Sequence, residues 1–173
     1  MCSSDLSGLG VAPAAVAAGL ADFRGVVRRF EFRGERDGVA FVDDYAHLPT
    51  EVAAAIATAR RSGWRRVVAV FQPHRYTRTA SLGRDFADAF AEADEVVITD
   101  VYAAGEDPIP GVSGRTVLDA VLDRHPRLAV SYLPRAEDLR DVPRRLARPG
   151  DVVLTLGAGD LTRLPDTWLG ADA

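Results

Sequence analysis

The sequence predicts an α/β protein with a Rossmann-like, mostly parallel sheet covered by helices on both faces, preceded by a β-hairpin with an antiparallel strand. Three observations support this fold class. Apolar runs of about five or six residues alternate with helical patterns of about a dozen. Two of these runs, 67–71 and 152–157, are almost continuously apolar, which is typical of strands buried on both faces. An alternating pattern around a polar turn precedes them and indicates the hairpin.

The first predicted element is a short helix over residues 10–23. Pro13 suits its first turn, and apolar side chains recur at roughly helical spacing, at Val11, Val16, Leu20 and Phe23. A hairpin follows, with Phe30 and Phe32 on one arm and a polar turn at Asp37-Gly38. Its return arm, which includes Val39 to Val42, ends at Asp43 and Asp44.

A second helix is predicted after the hairpin, over residues 49–63. It opens with Pro49 and an early Glu51, and it ends with two arginines and Gly63. Its apolar positions are Val52, Ala55, Ile56 and Ala59. The remaining chain alternates between the two kinds of element: strands are predicted at 67–71, 95–101, 128–133 and 151–157, and helices at 81–93, 113–125 and 136–147.

The composition narrows the function classes. With 47% hydrophobic and 27% charged residues, the chain is an ordinary globular protein, and a formal net charge of −4 gives no reason to expect nucleic acid or an anionic membrane as partner. No apolar run approaches the roughly 20 residues of a membrane span. All 21 basic residues are arginine, so a complete phosphate-binding P-loop, which needs a lysine, is absent. The single cysteine, Cys2, excludes an internal disulfide and fits a reducing cytoplasm.

Four polar or glycine-bearing segments follow predicted strands. They read DDYAH at 43–47, QPHRYTR at 72–78, DVYAAGED at 100–107 and GAGD at 157–160. Ligands of open parallel sheets bind outside the carboxyl ends of the strands. We therefore expect these four segments to meet at one edge of the sheet and to form the functional site.

The segment 72–78 is the most basic of the four. Arg75 and Arg78 lie three residues apart, so in a helical turn both guanidinium groups face the same way and can bind a carboxylate or a phosphate. His74 adds a hydrogen-bond donor or a proton carrier near neutral pH. The alternative is a solvated start of a helix. Positive charge is unfavourable at a helix N-terminus, which favours a compensating anion.

The segment 43–47 could contact a nucleotide. Asp44 suits a ribose hydroxyl, and Tyr45 can stack or form a hydrogen bond. Neighbouring strand residues point to opposite faces, so only one of Asp43 and Asp44 can face the cleft, and either could instead cap the hairpin. A metal site built from Asp44 and His47 has too few ligands to be favoured.

The remaining candidates carry weaker signals. The segment GAGD lacks the third glycine of the dinucleotide fingerprint, because Thr162 stands there, and it follows the last strand rather than the first. This weakens a nicotinamide oxidoreductase hypothesis. His125 is interpreted as a helix cap or a surface residue, and Trp64 and Trp168 as packing residues.

Taken in order, five segments resemble the C-terminal domain of the Mur ligases. They are RRFE, DDYAHLPTEV, FQPHRYTRT, YAAGEDPIPG and GDVVLTLGAGD, and they cover nearly the whole chain from about Leu6. FQPHRYTRT is the most specific of them, and it is similar to the members that join L-alanine to UDP-N-acetylmuramate. One departure is Leu48, which stands where the family commonly has a second histidine.

The resemblance implies roles for seven residues. L-alanine would be bound by Tyr45, His47, His74, Arg75 and Arg78, with the arginines on its carboxylate. Arg29 would approach the ATP phosphates, and Asp44 the ribose. The family's chemistry activates the muramate carboxylate as an acyl phosphate, which the alanine amine then attacks, so electrostatic stabilisation is the main task. No catalytic residue and no metal ligand is assigned within this chain.

The resemblance also implies a domain organisation. Residues 1–30 would be the last helix and linker of a central ATPase domain, and residues 31–173 the C-terminal domain. The first six residues are a candidate artefact, because Cys2 to Leu6 can be encoded by the end of a common sequencing adapter. Mg²⁺ and most ATP ligands would belong to the missing central domain. The implied partners are UDP-N-acetylmuramate, L-alanine, ATP and the missing domains, in the cytoplasm. The alternative is a non-catalytic nucleotide- or carboxylate-binding domain.

Overall fold

A six-stranded sheet forms the centre of the computed structural model, which describes residues 10–22 and 25–170. Its strands are β1 Glu31–Arg36, β2 Val39–Asp44, β3 Val67–Phe71, β4 Glu95–Ile98, β5 Ala129–Tyr132 and β6 Val152–Leu156. The spatial order is β1-β2-β6-β3-β4-β5. Strands β1 and β2 are antiparallel and the other neighbours are parallel, which confirms the predicted fold class.

Helices cover both faces of the sheet. The α-helices are α1 Pro13–Asp22, α2 Pro49–Arg61, α3 Tyr76–Leu82, α4 Gly114–Arg124, α5 Val142–Leu146 and α6 Leu164–Leu169. Three 3₁₀ helices span Gly83–Asp88, Ala136–Asp141 and Asp160–Arg163. One apolar cluster joins the sheet to α2 and α4, and a second joins its other face to α5 and α6. The central strands β2, β3 and β6 are therefore buried on both sides, as the continuous apolar runs of β3 and β6 predicted, whereas the edge strands β1 and β5 are partly exposed.

The first helix forms close to the predicted bounds. Pro13 opens α1 as expected, and Val11 lies just before it with 39% of its surface exposed. Phe23 and the candidate artefact at residues 1–6 lie outside the described residues. The assignment of residues 1–30 to a central domain remains a prediction.

The hairpin turns where the sequence predicted. Asp37 and Gly38 have φ values of 54° and 76°, and two successive left-handed residues are the mark of the turn that matches the twist of a hairpin. A bulge between Phe32 and Gly34 interrupts the register of β1. Phe30 packs against Trp64, whereas Phe32 is 60% exposed on the edge strand.

Helix α2 follows its pattern closely. Its buried side chains are Val52, Ala55, Ile56 and Ala59, the four apolar positions of the predicted stripe. Glu51 closes the N-terminus, because its carboxylate accepts the backbone N–H of Leu48 at 3.2 Å. This loop geometry fixes the direction in which residues 45–48 leave the sheet.

Two predicted helices are wrong in part. The helix predicted at 81–93 begins earlier, as α3 at Tyr76, and tightens into a 3₁₀ helix at Gly83. Gly83 packs so closely on α4 that an added Cβ would lie 2.7 Å from Thr116 Cγ2. The helix predicted at 136–147 is a 3₁₀ helix followed by α5. Pro143 lacks an N–H group and is tolerated in the first turn of α5.

Candidate functional site

The four polar segments meet at the carboxyl ends of the parallel strands. Backbone hydrogen bonds join them in pairs: Gly157 N donates to Asp44 O at 3.1 Å, and Arg75 N donates to Tyr102 O at 2.9 Å. The ring of His74 also stacks on Tyr102, with the centroids 5.8 Å apart. The convergence expected from the topology is therefore present in the structure.

An open groove of about 580 Å³ lies between the segments that follow β2 and β3. We refer to it as the basic groove, and its lining residues are Tyr45, His47, His74, Arg75, Thr77, Arg78, Ser81 and Leu82. The five residues to which the resemblance gave an L-alanine role all line this groove. Their place in one groove makes it the candidate substrate site.

His74 and Arg78 form a unit on one side of the basic groove. Arg78 Nη1 lies 3.0 Å from His74 Nδ1. Burial lowers the pKa of His74, and the positive charges of Arg78 and Arg75, together with that of His47 whenever its ring is protonated, lower it further. His74 is therefore neutral near pH 7. Among the described residues, no carboxylate forms an ion pair with Arg78.

Arg75 has a different environment from Arg78. It precedes α3 with φ 71° rather than lying in the first turn, so the expected helical pair does not form. Arg75 Nη1 is 3.7 Å from Glu106 Oε1, and its side chain is 48% exposed. Glu106 also accepts the N–H of Thr77 at 3.0 Å and its hydroxyl at 2.8 Å. Arg75 is thus partly neutralised, and Arg78 is the better placed cation for an incoming anion.

His47 lies on the opposite side of the basic groove. Its Nδ1 is 3.0 Å from the carbonyl oxygen of Tyr45 and 3.4 Å from Glu51 Oε2. The ring centroids of His47 and His74 are 5.8 Å apart. The two imidazole rings therefore face a common space, with Tyr45 against the edge of His47 at 5.3 Å.

The ionised carboxylate of Glu51, beside the basic groove, contributes to the stability of the fold. Burial alone would raise the pKa of Glu51, but the N–H groups of His47 and Leu48 and the charge of Arg29, with that of His47 when its ring is protonated, outweigh it and hold the pKa below its ordinary value. Because the pKa is lower in the folded state, the ionised carboxylate stabilises the fold, and this stabilisation is fully present above the unfolded-state pKa. The stabilisation is lost as the pH falls through the folded-state pKa.

We expect Glu51→Gln to lower the free energy of unfolding by about 1 kcal/mol at pH 7. The difference from the unsubstituted chain should shrink as pH falls below the unfolded-state pKa of about 4.3. Urea unfolding at a series of pH values measures this. A difference that is constant from pH 7 to the acid range would contradict the assigned role.

Asp43 and Asp44 point to opposite faces of β2, as strand geometry requires. Neither caps the hairpin, whose turn is at Asp37-Gly38. Asp44 accepts the backbone N–H groups of Phe30 and Ala46, both at 2.7 Å. Burial raises the pKa of Asp44 and outweighs these two hydrogen bonds and the charge of Arg29. A ribose hydroxyl could use only the lone pairs that the two N–H groups leave free.

Arg28 is a structural residue that the sequence analysis missed. With φ 58°, it directs its guanidinium group across the strand ends: Nη2 donates to Gly157 O at 2.6 Å and to Gly159 O at 3.3 Å. Its Nε donates to Asp43 at 3.3 Å. Three successive basic or aromatic residues at 28–30 gave no signal for which arginine turns inward. Arg28 therefore binds carbonyl groups of the GAGD segment that could otherwise have faced a ligand.

Arg29 is free to meet an anion. It is exposed, its guanidinium carbon lies 5.4 Å from the centroid of Tyr45, and within residues 10–22 and 25–170 it forms no ion pair with a carboxylate. An exposed, unpaired guanidinium group beside the basic groove fits a phosphate group. These contacts fit an ATP role for Arg29 better than they fit one for Asp44, whose carboxylate already accepts two backbone N–H groups.

The GAGD segment is closed rather than open to a dinucleotide. An alanine Cβ at Gly159 would lie 2.6 Å from Tyr102 Cγ and would also overlap Gln72 Oε1. Gly157 is also tight, since its Cβ would be 3.2 Å from Gln72 O. The glycines thus serve packing between neighbouring loops, which disfavours the nicotinamide hypothesis.

We therefore expect Gly159→Ala to lower the free energy of unfolding by roughly 1–3 kcal/mol. The Tyr102 ring must move, and its stack on His74 moves with it. Gly19→Ala is the matched control, because no atom lies within 4 Å of the Cβ it would add. Thermal unfolding of both variants measures the difference, and equal melting temperatures would contradict the packing role.

The other singled-out residues have structural partners. His125 ends α4 and its Nε2 lies 2.8 Å from Asp88 Oδ1. Trp168 packs on Phe41 and donates to Leu139 O at 3.2 Å. Within the described ranges there is no group of three or more histidine, cysteine, aspartate or glutamate side chains arranged for a metal ion. No helix of the described residues is long and apolar enough to span a membrane.

Comparisons with known proteins match this region of the chain. The family model "Mur ligase, glutamate ligase domain" matches residues 28–159. A UDP-N-acetylmuramate–L-alanine ligase of Rubrobacter xylanophilus is 52% identical over 165 residues, which are 93% of this chain and 36% of that protein. A ligase with the same description from Pelotomaculum thermopropionicum is 49% identical over 153 residues, 88% of this chain and 33% of that protein.

A solved structure agrees with the family model and with the two relatives. The UDP-N-acetylmuramate–alanine ligase of Thermotoga maritima superposes with a TM-score of 0.75 and is 27% identical, covering 98% of this chain and 35% of that one. The chain thus spans about a third of the length of the relatives it matches.

Proposed function

Because this chain belongs to the Mur ligase family, we propose that it is the C-terminal domain of an ATP-dependent ligase that joins L-alanine to the carboxylate of UDP-N-acetylmuramate in peptidoglycan synthesis. The two relatives described above carry that activity in their names, and both align over most of the chain. The chain would supply the amino-acid site and part of the nucleotide site.

The observation that carries the proposal is the basic groove. Arg78 lacks a carboxylate partner among the described residues and lies beside His74, so the two offer donors to the carboxylate of a small amino acid. Arg75 adds positive charge at the mouth. Tyr45 and His47 face them and would frame the amine and the methyl group. Fixing the carboxylate in this way aims the amine at the reacting carbonyl carbon.

The residues proposed to contact ATP lie at the same edge of the sheet as the basic groove. Arg29 would contact phosphate groups of ATP, and Asp44 a ribose hydroxyl. ATP, when bound, supplies the phosphoryl group that activates the muramate carboxylate. Residues 1–30 would contain the last helix of the central ATPase domain, and residues 31–173 would form the C-terminal domain. Mg²⁺ and most ATP ligands would come from the central domain, in a cytoplasmic enzyme.

The isolated chain should bind L-alanine weakly and catalyse nothing, so the test needs the other two domains. We suggest a chimera in which this chain follows the part of the Rubrobacter xylanophilus relative that precedes its match to this chain. Phosphate release should require both UDP-N-acetylmuramate and L-alanine. The relative's first part alone is the control and should show no alanine dependence. A folded chimera without alanine dependence would favour a non-catalytic binding domain instead.

A further inference from the structure

The two histidines of the basic groove hold opposite hydrogen-bonding roles. Arg78 Nη1 is 3.0 Å from His74 Nδ1, and a guanidinium group carries only donors. His74 Nδ1 must therefore accept this hydrogen bond. In the neutral ring the proton then sits on Nε2, which makes His74 Nε2 a donor.

His47 shows the reverse arrangement. Its Nδ1 is 3.0 Å from Tyr45 O, and a carbonyl oxygen can only accept. The carboxylate of Glu51, 3.4 Å away, also accepts. His47 Nδ1 must therefore carry the proton, and in the neutral ring Nε2 keeps its lone pair. Within the described part of the chain, neither Nε2 has a hydrogen-bond partner.

We propose that His47 Nε2 accepts the proton of the amino-acid ammonium group, while His74 Nε2–H donates to the substrate on the opposite side of the groove. This assignment rests on the proposed function, and it makes His47 a catalytic residue rather than one that only lines the groove. The two rings, with centroids 5.8 Å apart, then act as one base and one donor.

The step balances with the groups already named. His47 Nε2 takes one proton from the ammonium group, and the freed lone pair forms the C–N bond to the carbonyl carbon of the acyl phosphate. The π electrons of the carbonyl move to its oxygen and return as the C–O bond to phosphate breaks. The new amide loses its second proton to the departing phosphate or to water. The His47 imidazolium then releases its proton to solvent.

The surrounding charges favour this assignment. Beside His47 lie Glu51 from α2, Tyr45 from the segment after β2 and His74 from the segment after β3. Arg29, which precedes β1, lies over the ring of Tyr45. Glu51 is the carboxylate in contact with the ring, so it stabilises an imidazolium. The other acidic candidate, Asp44, is held by two backbone N–H groups. This chain itself contributes no lysine that could act as a base.

The tautomers can be measured on the chain itself, independently of any activity. The chain contains three histidines, so long-range proton–nitrogen correlation spectra with single replacements assign each ring. We expect the proton on Nδ1 of His47 and on Nε2 of His74 in the neutral rings. A neutral His47 with its proton on Nε2 would overturn the proposal.

The base role is tested in the chimera with His47→Gln at saturating L-alanine. We expect kcat near neutral pH to fall by about 10²-fold with KM for L-alanine little changed. The lost rate should return as pH rises and the free amine becomes abundant. The matched variant His74→Gln should instead raise KM. If His47→Gln raises KM with kcat unchanged, or if its kcat does not recover at high pH, His47 is not the base.

The two proposals fail in different ways. Absence of alanine-dependent turnover in the unsubstituted chimera contradicts the proposed function. The tautomer of His47, measured on the chain alone, still shows whether its Nε2 can accept a proton. Normal turnover combined with the wrong tautomer, or with a pH-independent defect, contradicts only the base assignment.

Discussion

Replacing both Arg75 and Arg78 with alanine is expected to lower kcat/KM for L-alanine by about 10³-fold in the chimera. Each charge-assisted hydrogen bond to the substrate carboxylate contributes roughly 1.5–3 kcal/mol, and about 4 kcal/mol corresponds to 10³ in an equilibrium constant. The effect should lie mainly in KM for L-alanine. KM for UDP-N-acetylmuramate should change little, because these arginines line the basic groove, where the proposal places L-alanine.

The single variants should be unequal. Arg78→Ala should cost more than Arg75→Ala, because Arg75 is already paired with Glu106 at 3.7 Å and is half exposed. Arg124→Ala is the matched control: this exposed arginine at the end of α4 pairs with Asp88 outside the basic groove. An unchanged KM for L-alanine in the double variant would contradict the carboxylate role.

Asp43→Ala is expected to lower the free energy of unfolding by roughly 3–5 kcal/mol. Asp43 is 1% exposed, and its carboxylate accepts hydrogen bonds from Thr155 at 2.6 Å, Thr162 at 2.7 Å and Arg28 at 3.3 Å. The substitution leaves Arg28 without its carboxylate and detaches β2 from the segment after β6. Urea unfolding of the chain gives the free energy directly.

Two further variants separate the contribution of the Asp43 charge from that of its packing. Asp43→Asn keeps the size of the side chain and an acceptor for Thr155 but removes the charge that faces Arg28, so its cost should be intermediate. Asp123→Ala, on the exposed face of α4, should stay within about 0.5 kcal/mol of the unsubstituted chain. If Asp43→Ala behaves like Asp123→Ala, the strand ends are not held together by Asp43.

Local patterns explain which parts of the fold were predictable. The hairpin followed from Asp37-Gly38 between alternating segments, and the buried face of α2 followed from helical periodicity. Continuous apolar strands implied a parallel sheet, and that topology placed four polar segments at one edge. The 3₁₀ helix at Gly83–Asp88 was not predictable, because it depends on the approach of Gly83 to Thr116 in another helix.

The candidate site was predictable in its membership but not in its detail. The motif resemblance named five of the eight residues that line the basic groove, yet sequence spacing suggested a joint role for Arg75 and Arg78. Glu106, which pairs with Arg75, belongs to a loop after a different strand, so only the fold reveals this contact. The inward turn of Arg28 and the opposite tautomers of His47 and His74 likewise depend on backbone carbonyls and side chains brought together by the sheet.

Identification of the product tests the central claim most directly. The chimera would receive UDP-N-acetylmuramate, ATP, Mg²⁺ and an equimolar mixture of L-alanine, D-glutamate and meso-diaminopimelate, and the nucleotide-linked products would be identified by mass spectrometry. The proposed function predicts the L-alanine adduct as the dominant product, and its loss with the Arg75→Ala and Arg78→Ala double variant. A dominant adduct of another amino acid, or a folded chimera that forms no adduct, would contradict it.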